Sequence, residues 1–338
     1  MEKSLTVVIP MYNIEKYIRE CLDSFCIPEL MKNIEVLIID DGSQDRSAKI
    51  AEEFQTKYPE TFRVIHKENG GHGSTINRGI QEASGKYFKV VDGDDWVNQD
   101  ALKRLVESLQ RNHSDIVCSD FKWVFDKSGR EKVGVSQPFP KVIYGKEYSF
   151  TDICGELYIK MHSMTIKTQI LKEHFIPLDE HCFYVDWEYT AYPIPYVSSI
   201  MFIPDCVYMY RVGREGQSVN IQNMQKNIKH HLTVLRSLMA FYKRQYGCSM
   251  NGLDRESQKK AEYLAQLIGR VVASQTKIYL SFPISRQNKQ RLIKFDEKVK
   301  KQNPVIYDHV QNRSVWLLRK SNFRLYAIAA YLVKMRKQ

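Results

Sequence analysis

The first part of the chain alternates between short apolar runs and stretches in which apolar residues recur at helical spacing. Continuous apolar runs of this length are typical of strands that are buried on both faces, as in a parallel sheet. The resulting order, β-α-β-α-β-α-β with short links, predicts a doubly wound, mostly parallel α/β sheet with helices on both faces. The predicted strands are 5–9, 34–39, 62–66 and 87–91, and the predicted helices between them are 14–24, 45–58 and 76–83.

Polar residues cluster around the ends of these predicted strands. In doubly wound sheets, ligands bind beyond the carboxyl ends of the strands, where the connecting loops leave a crevice. The clusters are therefore expected to meet at one edge of the sheet and to form a binding site there. They are residues 10–13, 40–43, 69–74 and 92–95.

The pattern loosens after residue 115 into mixed strands and loops. Residues 155–166 have helical spacing and precede a loop at 177–184, and helical periodicity dominates from residue 221 onward. We therefore expect an α/β domain over residues 1–220 and a helical C-terminal extension over residues 221–338.

Charge is distributed unevenly along the 338 residues, which carry a formal net charge of +11. Residues 226–338 hold 24 Lys and Arg against 6 Asp and Glu, whereas residues 1–225 hold 26 against 33. The acidic first part argues against a protein that coats nucleic acid with a uniformly basic surface, and no known RNA- or DNA-binding motif is recognisable. We therefore expect no nucleic-acid partner.

Cysteine usage and hydropathy both predict a cytoplasmic protein. Seven Cys form no C-x-x-C pair, which argues against a disulfide framework and a structural zinc site. The longest late apolar run, at 325–333, has nine residues. A membrane-spanning helix needs about 20 such residues, so no spanning segment is expected.

The sequence Asp92-Gly93-Asp94-Asp95 directly follows the last predicted strand. Carboxylates on such a turn can hold Mg²⁺ or Mn²⁺, with water and substrate phosphates completing the coordination shell. An acidic turn in which Asp95 caps a helix over Trp96–Gln110 explains the same residues equally well. The tetrad alone leaves both interpretations open.

Four segments together resemble the family 2 glycosyltransferases, including those that build bacterial surface polysaccharides. They occur in order and cover about residues 5–220 as VVIPMYN (7–13), IEVLIIDDGSQD (34–45), ENGGHGSTINRGIQEASGKYFKVVDGDD (68–95) and YVDWEY (184–189). The resemblance implies the GT-A fold, which is a single α/β domain that binds a nucleotide-sugar. It also implies a Mn²⁺ or Mg²⁺ cofactor and a nucleotide-sugar donor.

The resemblance assigns roles to individual residues. Asp92 and Asp94 match the metal-binding D-x-D motif, with Asp94 as the direct ligand. Asp186 matches the carboxylate that deprotonates the acceptor hydroxyl, although Val185 stands where the family has Glu, and Glu188 is the second candidate for that base. The expected nucleotide-sugar-binding residues, with Asp41 bonding the base, are Pro10, Tyr12, Asn13, Asp41, Gly71, His72, Asn77, Asp92, Gly93 and Asp94.

Three of the candidate binding residues have alternative interpretations. Arg211 or Arg214 could clamp the diphosphate, because guanidinium suits phosphate oxygens, or both could be surface residues on a Gly-rich turn. His72 stands between two glycines and is either a contact to donor or acceptor or a polar turn residue. The sequence leaves these alternatives open.

The C-terminal residues 313–338 hold seven Lys and Arg, no acidic residue and several interleaved aromatic residues. This composition suits a helix that lies in the interface of an anionic membrane. A C-terminal helix that packs its apolar stripe on the core is the alternative.

The preferred interpretation is a metal-dependent inverting glycosyltransferase at the inner face of the bacterial cell membrane. It would transfer one sugar from a donor, expected to be UDP-linked, to a hydroxyl of a growing, lipid-linked surface glycan. A sugar nucleotidyltransferase and a catalytically inactive protein that binds nucleotide-sugar and docks on membranes are the alternatives. The sequence leaves the donor sugar, the acceptor, the linkage and the oligomeric state undetermined.

Overall fold

A computed structural model describes residues 3–125, 131–133, 139, 142–213 and 220–335 of the chain. The chain divides into two compact units, Met1–Glu215 and Gly216–Gln338. The first unit contains the sheet, and the described part of the second unit is helical. Each unit is described by itself below.

The described residues of the first unit form one ten-stranded mixed sheet. Its main path runs in the order β3-β2-β1-β4-β9-β6-β10-β5, while β7 pairs with β6 and β8 pairs with β10. The strands are β1 (Leu5–Met11), β2 (Ile34–Asp40), β3 (Phe62–His66), β4 (Tyr87–Val90), β5 (Trp96–Val97), β6 (Ile116–Phe125), β7 (Glu131–Val133), β8 (Glu147–Ser149), β9 (Met164–Lys167) and β10 (Ser199–Val212).

Strand pairing is parallel in the first half of the sheet and mixed in the second. β1 lies between β2 and β4 in parallel register, and all seven of its residues are buried, as the apolar run predicted. β9 inserts between β4 and β6 and is antiparallel to both. The expected α/β fold class is confirmed, and the antiparallel strands β5, β7, β8 and β9 make the sheet a mixed one.

Seven α-helices are assigned among the described residues of the first unit. The core beneath the sheet is lined by large side chains such as Phe25, Phe62 and Tyr87. The helices are α1 (Ile18–Asp23), α2 (Ser47–Lys57), α3 (His72–Glu82), α4 (Gln99–Arg111), α5 (Phe150–Ile153), α6 (Thr168–Glu173) and α7 (Asp186–Ala191).

The predicted helix over 155–166 is wrong. The segment contains a short 3₁₀ turn at Cys154–Glu156, and its end is strand β9. Ile166 pairs with Phe88 on one side and with Ile116 on the other, so tertiary strand pairing overrides the local helical spacing.

The N-terminus of α4 also differs from the expectation. Trp96 and Val97 form strand β5 against β10, and the helix begins at Gln99. The Asn98 side chain caps it by accepting a hydrogen bond from the Ala101 N–H at 2.9 Å. Asp95 is therefore not the helix cap.

The second unit consists, in its described part, of helices, most of which bury apolar side chains. Its longest helix, α10, buries Leu264, Ile268 and Val271 on one side. No helix among the described residues is both long and apolar enough to cross a membrane. The helices are α8 (Ile221–Lys226), α9 (Ile228–Tyr246), α10 (Arg255–Ser281), α11 (Arg286–Gln302), α12 (Pro304–Asp308), α13 (Arg313–Lys320) and α14 (Tyr326–Met335).

Candidate functional site

The turn that leads into α3 is fixed by the buried carboxylate of Asp41. Its Oδ1 accepts hydrogen bonds from the Gly70 N–H at 2.9 Å and the Lys67 ammonium at 2.9 Å, and its Oδ2 accepts from the Gly71 N–H at 2.8 Å. Gly71 has φ of 81°, which a residue with a side chain rarely adopts. Asp41 therefore shapes the loop between β3 and α3, and Oδ2 keeps acceptor capacity for a ligand.

The ends of β1 and β2 are joined by Asn13. Its Oδ1 accepts from the Gln44 N–H at 2.7 Å, and its own N–H donates to the Ser43 hydroxyl at 3.2 Å. Next to it, Tyr12 is 48% exposed, whereas Pro10 is buried in β1. The exposed Tyr12 ring thus lies at the strand edge where a nucleoside was expected.

The acidic loop after β4 brings three carboxylates together. One oxygen from each of Asp92, Asp94 and Asp95 lies within 4.8 Å of the others. Gly93 fits this arrangement, because a Cβ there would lie 2.5 Å from the Ile14 side chain and 3.0 Å from the Pro10 carbonyl oxygen, so its neighbours would have to shift. The glycine lets the loop approach the end of β1 closely.

Asp95 is buried and holds the acidic loop in place through hydrogen bonds to β10. It accepts hydrogen bonds from the Tyr208 hydroxyl at 2.6 Å and from the Arg211 N–H at 2.7 Å. Burial, followed by the neighbouring Asp94 and Asp92 carboxylates, raises the pKa of Asp95 well above its ordinary value. Asp95 therefore anchors the acidic loop to β10, which leaves Asp92 and Asp94 as the pair expected to face a ligand.

His72, the first residue of α3, lies directly against the acidic loop. Its Nε2 is 2.9 Å from Asp92 Oδ1. Burial opposes protonation of the imidazole, but the hydrogen bond and charge of Asp92, together with the charge of Asp186, raise the pKa of His72. His72 thus bonds one expected site carboxylate and feels the charge of another, and its contact with donor or acceptor stays a prediction.

Asp186 is the first residue of α7 and joins the same group. Burial raises its pKa to about 6, the His72 charge opposes this rise, and the Asp92 charge adds to it. A carboxylate with this pKa is ionised at neutral pH and is basic enough to accept a proton from a hydroxyl during a reaction. The structure therefore brings Asp92, Asp186 and His72 close together.

Glu188, the second candidate for the base, is fully buried. Its Oε2 accepts a hydrogen bond from the Asp179 N–H at 2.8 Å, and burial raises its pKa to about 8. The carboxyl group is thus largely protonated at neutral pH and holds the loop that precedes α7.

Asn77 and Gly73 on α3 hold the other side of that loop. The Asn77 amide accepts from the Leu178 N–H at 2.8 Å and donates to the Leu178 carbonyl at 3.0 Å. A Cβ at Gly73 would lie 2.2 Å from the Asp179 carbonyl oxygen. These two residues therefore set the position of the segment that leads to Asp186, and the contact of Asn77 with a donor stays a prediction.

Arg211 supports the acidic loop from β10. Its guanidinium lies between the rings of Tyr17 and Trp96, at 5.1 Å and 4.5 Å from their centroids. Its Nη2 pairs with Glu20 at 2.6 Å, and its Nε donates to the Asp94 carbonyl at 2.9 Å. Contact of Arg211 with a diphosphate stays a prediction, and Arg214 lies outside the described residues.

The sequence reasoning missed Tyr208 as part of the site. Its hydroxyl donates to Asp95 and accepts from the Asp92 N–H at 3.2 Å, across 113 and 116 positions of the chain. The alternation of Tyr208 and Tyr210 in a strand-like run was the one available signal. It could not show which loop these side chains would meet.

A mixed α/β sheet with an acidic loop after its fourth strand is the arrangement that the resemblance to family 2 glycosyltransferases implied. The chain belongs to the family described as glycosyl transferase family 2, whose model matches residues 6–175. The resemblance to the family 2 glycosyltransferases found in the sequence is thereby confirmed. Membership of this family argues against the alternative of a sugar nucleotidyltransferase.

Two curated relatives illustrate the similarity. The uncharacterized glycosyltransferase EpsJ of Bacillus subtilis is 41% identical over 124 residues, which are 36% of this chain and 36% of that protein. The poly(ribitol-phosphate) beta-N-acetylglucosaminyltransferase TarS of Staphylococcus aureus is 28% identical over 217 residues, which are 64% of this chain and 36% of TarS. The chain thus matches little more than a third of the length of each.

Solved structures of S. aureus TarS share the fold. One covers 97% of this chain and 54% of the TarS chain, at a TM-score of 0.66 and 22% identity. TarS 1–349 in complex with UDP-GlcNAc covers 94% of this chain and 92% of that chain, at a TM-score of 0.54 and 22% identity. At this identity the likeness concerns the fold alone.

Proposed function

We propose that this glycosyltransferase transfers one sugar from a UDP-sugar to a hydroxyl of a growing surface glycan, with inversion at the sugar carbon. The observation that carries the proposal is the grouping of Asp92, Asp94 and Asp186 around His72. The UDP-GlcNAc complex of TarS supports a UDP-linked donor. The poly(ribitol-phosphate) in the name of TarS supports a bacterial surface polymer as acceptor.

The acidic loop suits a hard divalent cation. Mn²⁺ and Mg²⁺ prefer oxygen ligands and usually keep sites open for water and substrate phosphates, and Asp92 and Asp94 offer carboxylate oxygens within 4.8 Å of each other. When bound, such a cation would neutralise charge on the leaving diphosphate. Asp95 would contribute through its hydrogen bonds to Tyr208 and Arg211, which fix the shape of the loop.

Asp186 acts as the general base in this proposal. Its carboxylate accepts the proton of the acceptor hydroxyl, whose oxygen forms a bond to C1 of the donor sugar as the bond from C1 to the phosphate oxygen breaks. The UDP leaves with the electron pair of that bond. A single displacement of this kind inverts the configuration at C1 and needs no covalent enzyme intermediate.

Release of UDP from a panel of nucleotide-sugars, with Mn²⁺ present, tests the donor and the metal. Asp94→Ala should abolish metal-dependent release, and full activity of this variant would refute the metal assignment. Asp186→Asn should bind UDP normally and lose transfer, whereas Glu188→Gln should retain transfer. A dead Glu188→Gln variant with an active Asp186→Asn variant would move the base to Glu188.

We further propose that the C-terminal helices bind an anionic membrane surface. α13 and α14 bury one stripe (Val315, Leu318, Tyr326 and Ala330), as the core-packing alternative expects. They also expose a second apolar set, which is Trp316, Leu317, Ile328, Tyr331, Leu332 and Met335. Residues 313–335 contain basic but no acidic side chains, a charge balance that suits anionic lipid headgroups.

Vesicle sedimentation tests this membrane proposal. The protein should sediment with phosphatidylglycerol-containing vesicles, less so with pure phosphatidylcholine vesicles, and less at high salt because salt screens the electrostatic attraction. Exchange of both Leu317 and Leu332 for Ser should weaken the binding without changing the release of UDP. Equal sedimentation of the parent and the double variant would contradict the proposal.

A further inference from the structure

A group of aromatic side chains surrounds one lysine close to the expected base. The Lys160 ammonium lies 5.7 Å from the centroid of Tyr158 and 5.4 Å from that of Trp123. The Tyr158 ring stacks on Trp187 at 5.9 Å with 26° between the ring planes. We call Trp123, Tyr158, Lys160 and Trp187 the Lys160 shelf, and each of its side chains keeps part of its surface exposed.

The Lys160 shelf adjoins the carboxylates of the candidate site. Trp187 is the residue after Asp186 on α7. On the other side, the Lys160 ammonium lies 5.2 Å from the centroid of Phe121, whose ring stacks on His162 at 5.1 Å. The His162 ring in turn lies 4.7 Å from Tyr208, whose hydroxyl accepts from the Asp92 N–H. A continuous path of side chains therefore leads from the shelf to the acidic loop within the first unit.

The shelf combines partly exposed aromatic rings with one ammonium group, unlike an ordinary apolar core. Partly exposed aromatic rings are suited to the C–H faces of sugar rings, which are apolar, while the sugar hydroxyls stay hydrated. An ammonium group beside them binds phosphate or carboxylate oxygens as a compact positive charge. The combination fits a sugar or polyol unit that bears an anionic group.

The charge of the surroundings favours the same ligand chemistry. An anionic acceptor that approaches Asp186 meets the ionised carboxylate of Asp186 itself and the phosphates of the donor, which repel it. A positive charge at Lys160 offsets this repulsion and holds the anionic group away from the acidic loop. A neutral acceptor would need no such charge at this position.

We propose that the Lys160 shelf is the acceptor subsite and binds a glycan unit carrying a phosphate or carboxylate group. Trp187 and Tyr158 stack against the acceptor unit, and Lys160 pairs with its anionic group, so that a hydroxyl of the unit points to Asp186. This assignment rests on the proposed function only for the role of Asp186. Phosphate-bearing and carboxylate-bearing acceptors share the chemistry, and the test separates them.

Calorimetric titration with defined oligomers tests the subsite. The probes are a ribitol phosphate oligomer, a hyaluronan oligomer with carboxylates and a neutral chitin oligomer, each added to the full chain with UDP and Mn²⁺ present. We expect at least one anionic oligomer to bind more tightly than the neutral one. Absence of anionic binding, or equal binding of the neutral oligomer, would overturn the proposal.

Substitutions in the Lys160 shelf test whether the anionic oligomer binds there. Trp187→Ala and Lys160→Met should each weaken binding of the anionic oligomer by about ten-fold or more, as truncation of a central contact does. Trp187→Phe and Lys160→Arg should restore most of it. Lys146→Met is the matched control, because Lys146 also lies over an aromatic ring, 4.9 Å from the Tyr148 centroid, but outside the shelf.

The outcomes separate this inference from the proposed function. UDP binding should change by less than about two-fold in every shelf variant, because the shelf does not include the expected donor residues. Unchanged oligomer binding in Lys160→Met and Trp187→Ala, together with an inactive Asp186→Asn, would overturn the subsite and leave the base assignment intact. An active Asp186→Asn variant, together with weakened oligomer binding in the shelf variants, would overturn the base assignment and leave the subsite intact.

Discussion

The imidazole of His72 and the carboxylate of Asp92 form a hydrogen bond, with 2.9 Å between Nε2 and Oδ1. The pair links the start of α3 to the acidic loop after β4, and Asp186 lies close enough for its charge to act on the same imidazole. His72 therefore orients one expected metal ligand while it influences the expected base. Two parts of the candidate site are coupled through one side chain.

Replacement of His72 should weaken the site through Asp92. In His72→Ala the carboxylate loses the partner that orients it, and such supporting hydrogen bonds are worth about 10–100-fold in metal affinity. The Mn²⁺ concentration for half-maximal UDP release should rise by about that factor. His72→Gln can still donate to Asp92, so its Mn²⁺ requirement should lie between those of the parent and of His72→Ala. The control His113→Ala, at an exposed position, should have the Mn²⁺ requirement of the parent. An unchanged Mn²⁺ requirement in His72→Ala would separate His72 from the metal site.

The pH dependence of transfer should report on Asp186. A general base must be deprotonated to act, and burial raises the pKa of this carboxyl from 3.8 to about 6. The value of kcat/KM should therefore rise with pH and level off above about pH 7, instead of levelling off near pH 5 as for an ordinary Asp. A steady-state profile measured at saturating Mn²⁺ checks this. The Glu188→Gln variant should show the same rise of kcat/KM with pH. Loss of this rise in Glu188→Gln would contradict its assignment to Asp186.

A methyl group at Gly73 should displace the loop before Asp186. In Gly73→Ala the new Cβ would lie 2.2 Å from the Asp179 carbonyl oxygen, so backbone must move. We expect a loss of about 1–3 kcal/mol in the free energy of unfolding and a lower kcat. Urea unfolding and UDP release measure the two effects. Gly155→Ala is the control, because its Cβ would meet no atom within 4 Å and its stability should change by less than about 0.5 kcal/mol.

Exchange of Arg211 for lysine should not be conservative. Lys keeps the charge but loses the planar contact between Tyr17 and Trp96 and the Nε hydrogen bond to the Asp94 carbonyl. We expect the free energy of unfolding to fall by about 1–3 kcal/mol and the Mn²⁺ requirement to rise. Urea unfolding and Mn²⁺ titration of UDP release measure both.

Arg19→Lys is the matched control for this exchange. Arg19 pairs with Glu53 at the surface, where both side chains are about half exposed, and the pair is worth less than about 1 kcal/mol. Equal effects of the two exchanges would mean that the contacts of Arg211 do not support the acidic loop.

Much of the fold could be predicted because its signals are local. The apolar runs at 5–9, 34–39, 62–66 and 87–91 became β1 to β4, since a continuous run bounded by polar residues can bury both faces of a strand. The clustering of Asp41 and Asp92 at one edge followed from the parallel direction of these strands. Where pairing came from distant segments, as in β5 and β9, local spacing led to the wrong element.

The sequence by itself determined the family, the order of the first strands and the residues that stand at their ends. Tertiary structure alone decided that Asp95 is buried against Tyr208, that Glu188 is enclosed and that Trp187 stacks on Tyr158. The reason is physical. Strand formation depends on neighbours within a few positions, whereas burial, pKa and side-chain partners depend on segments that meet only when the chain has folded.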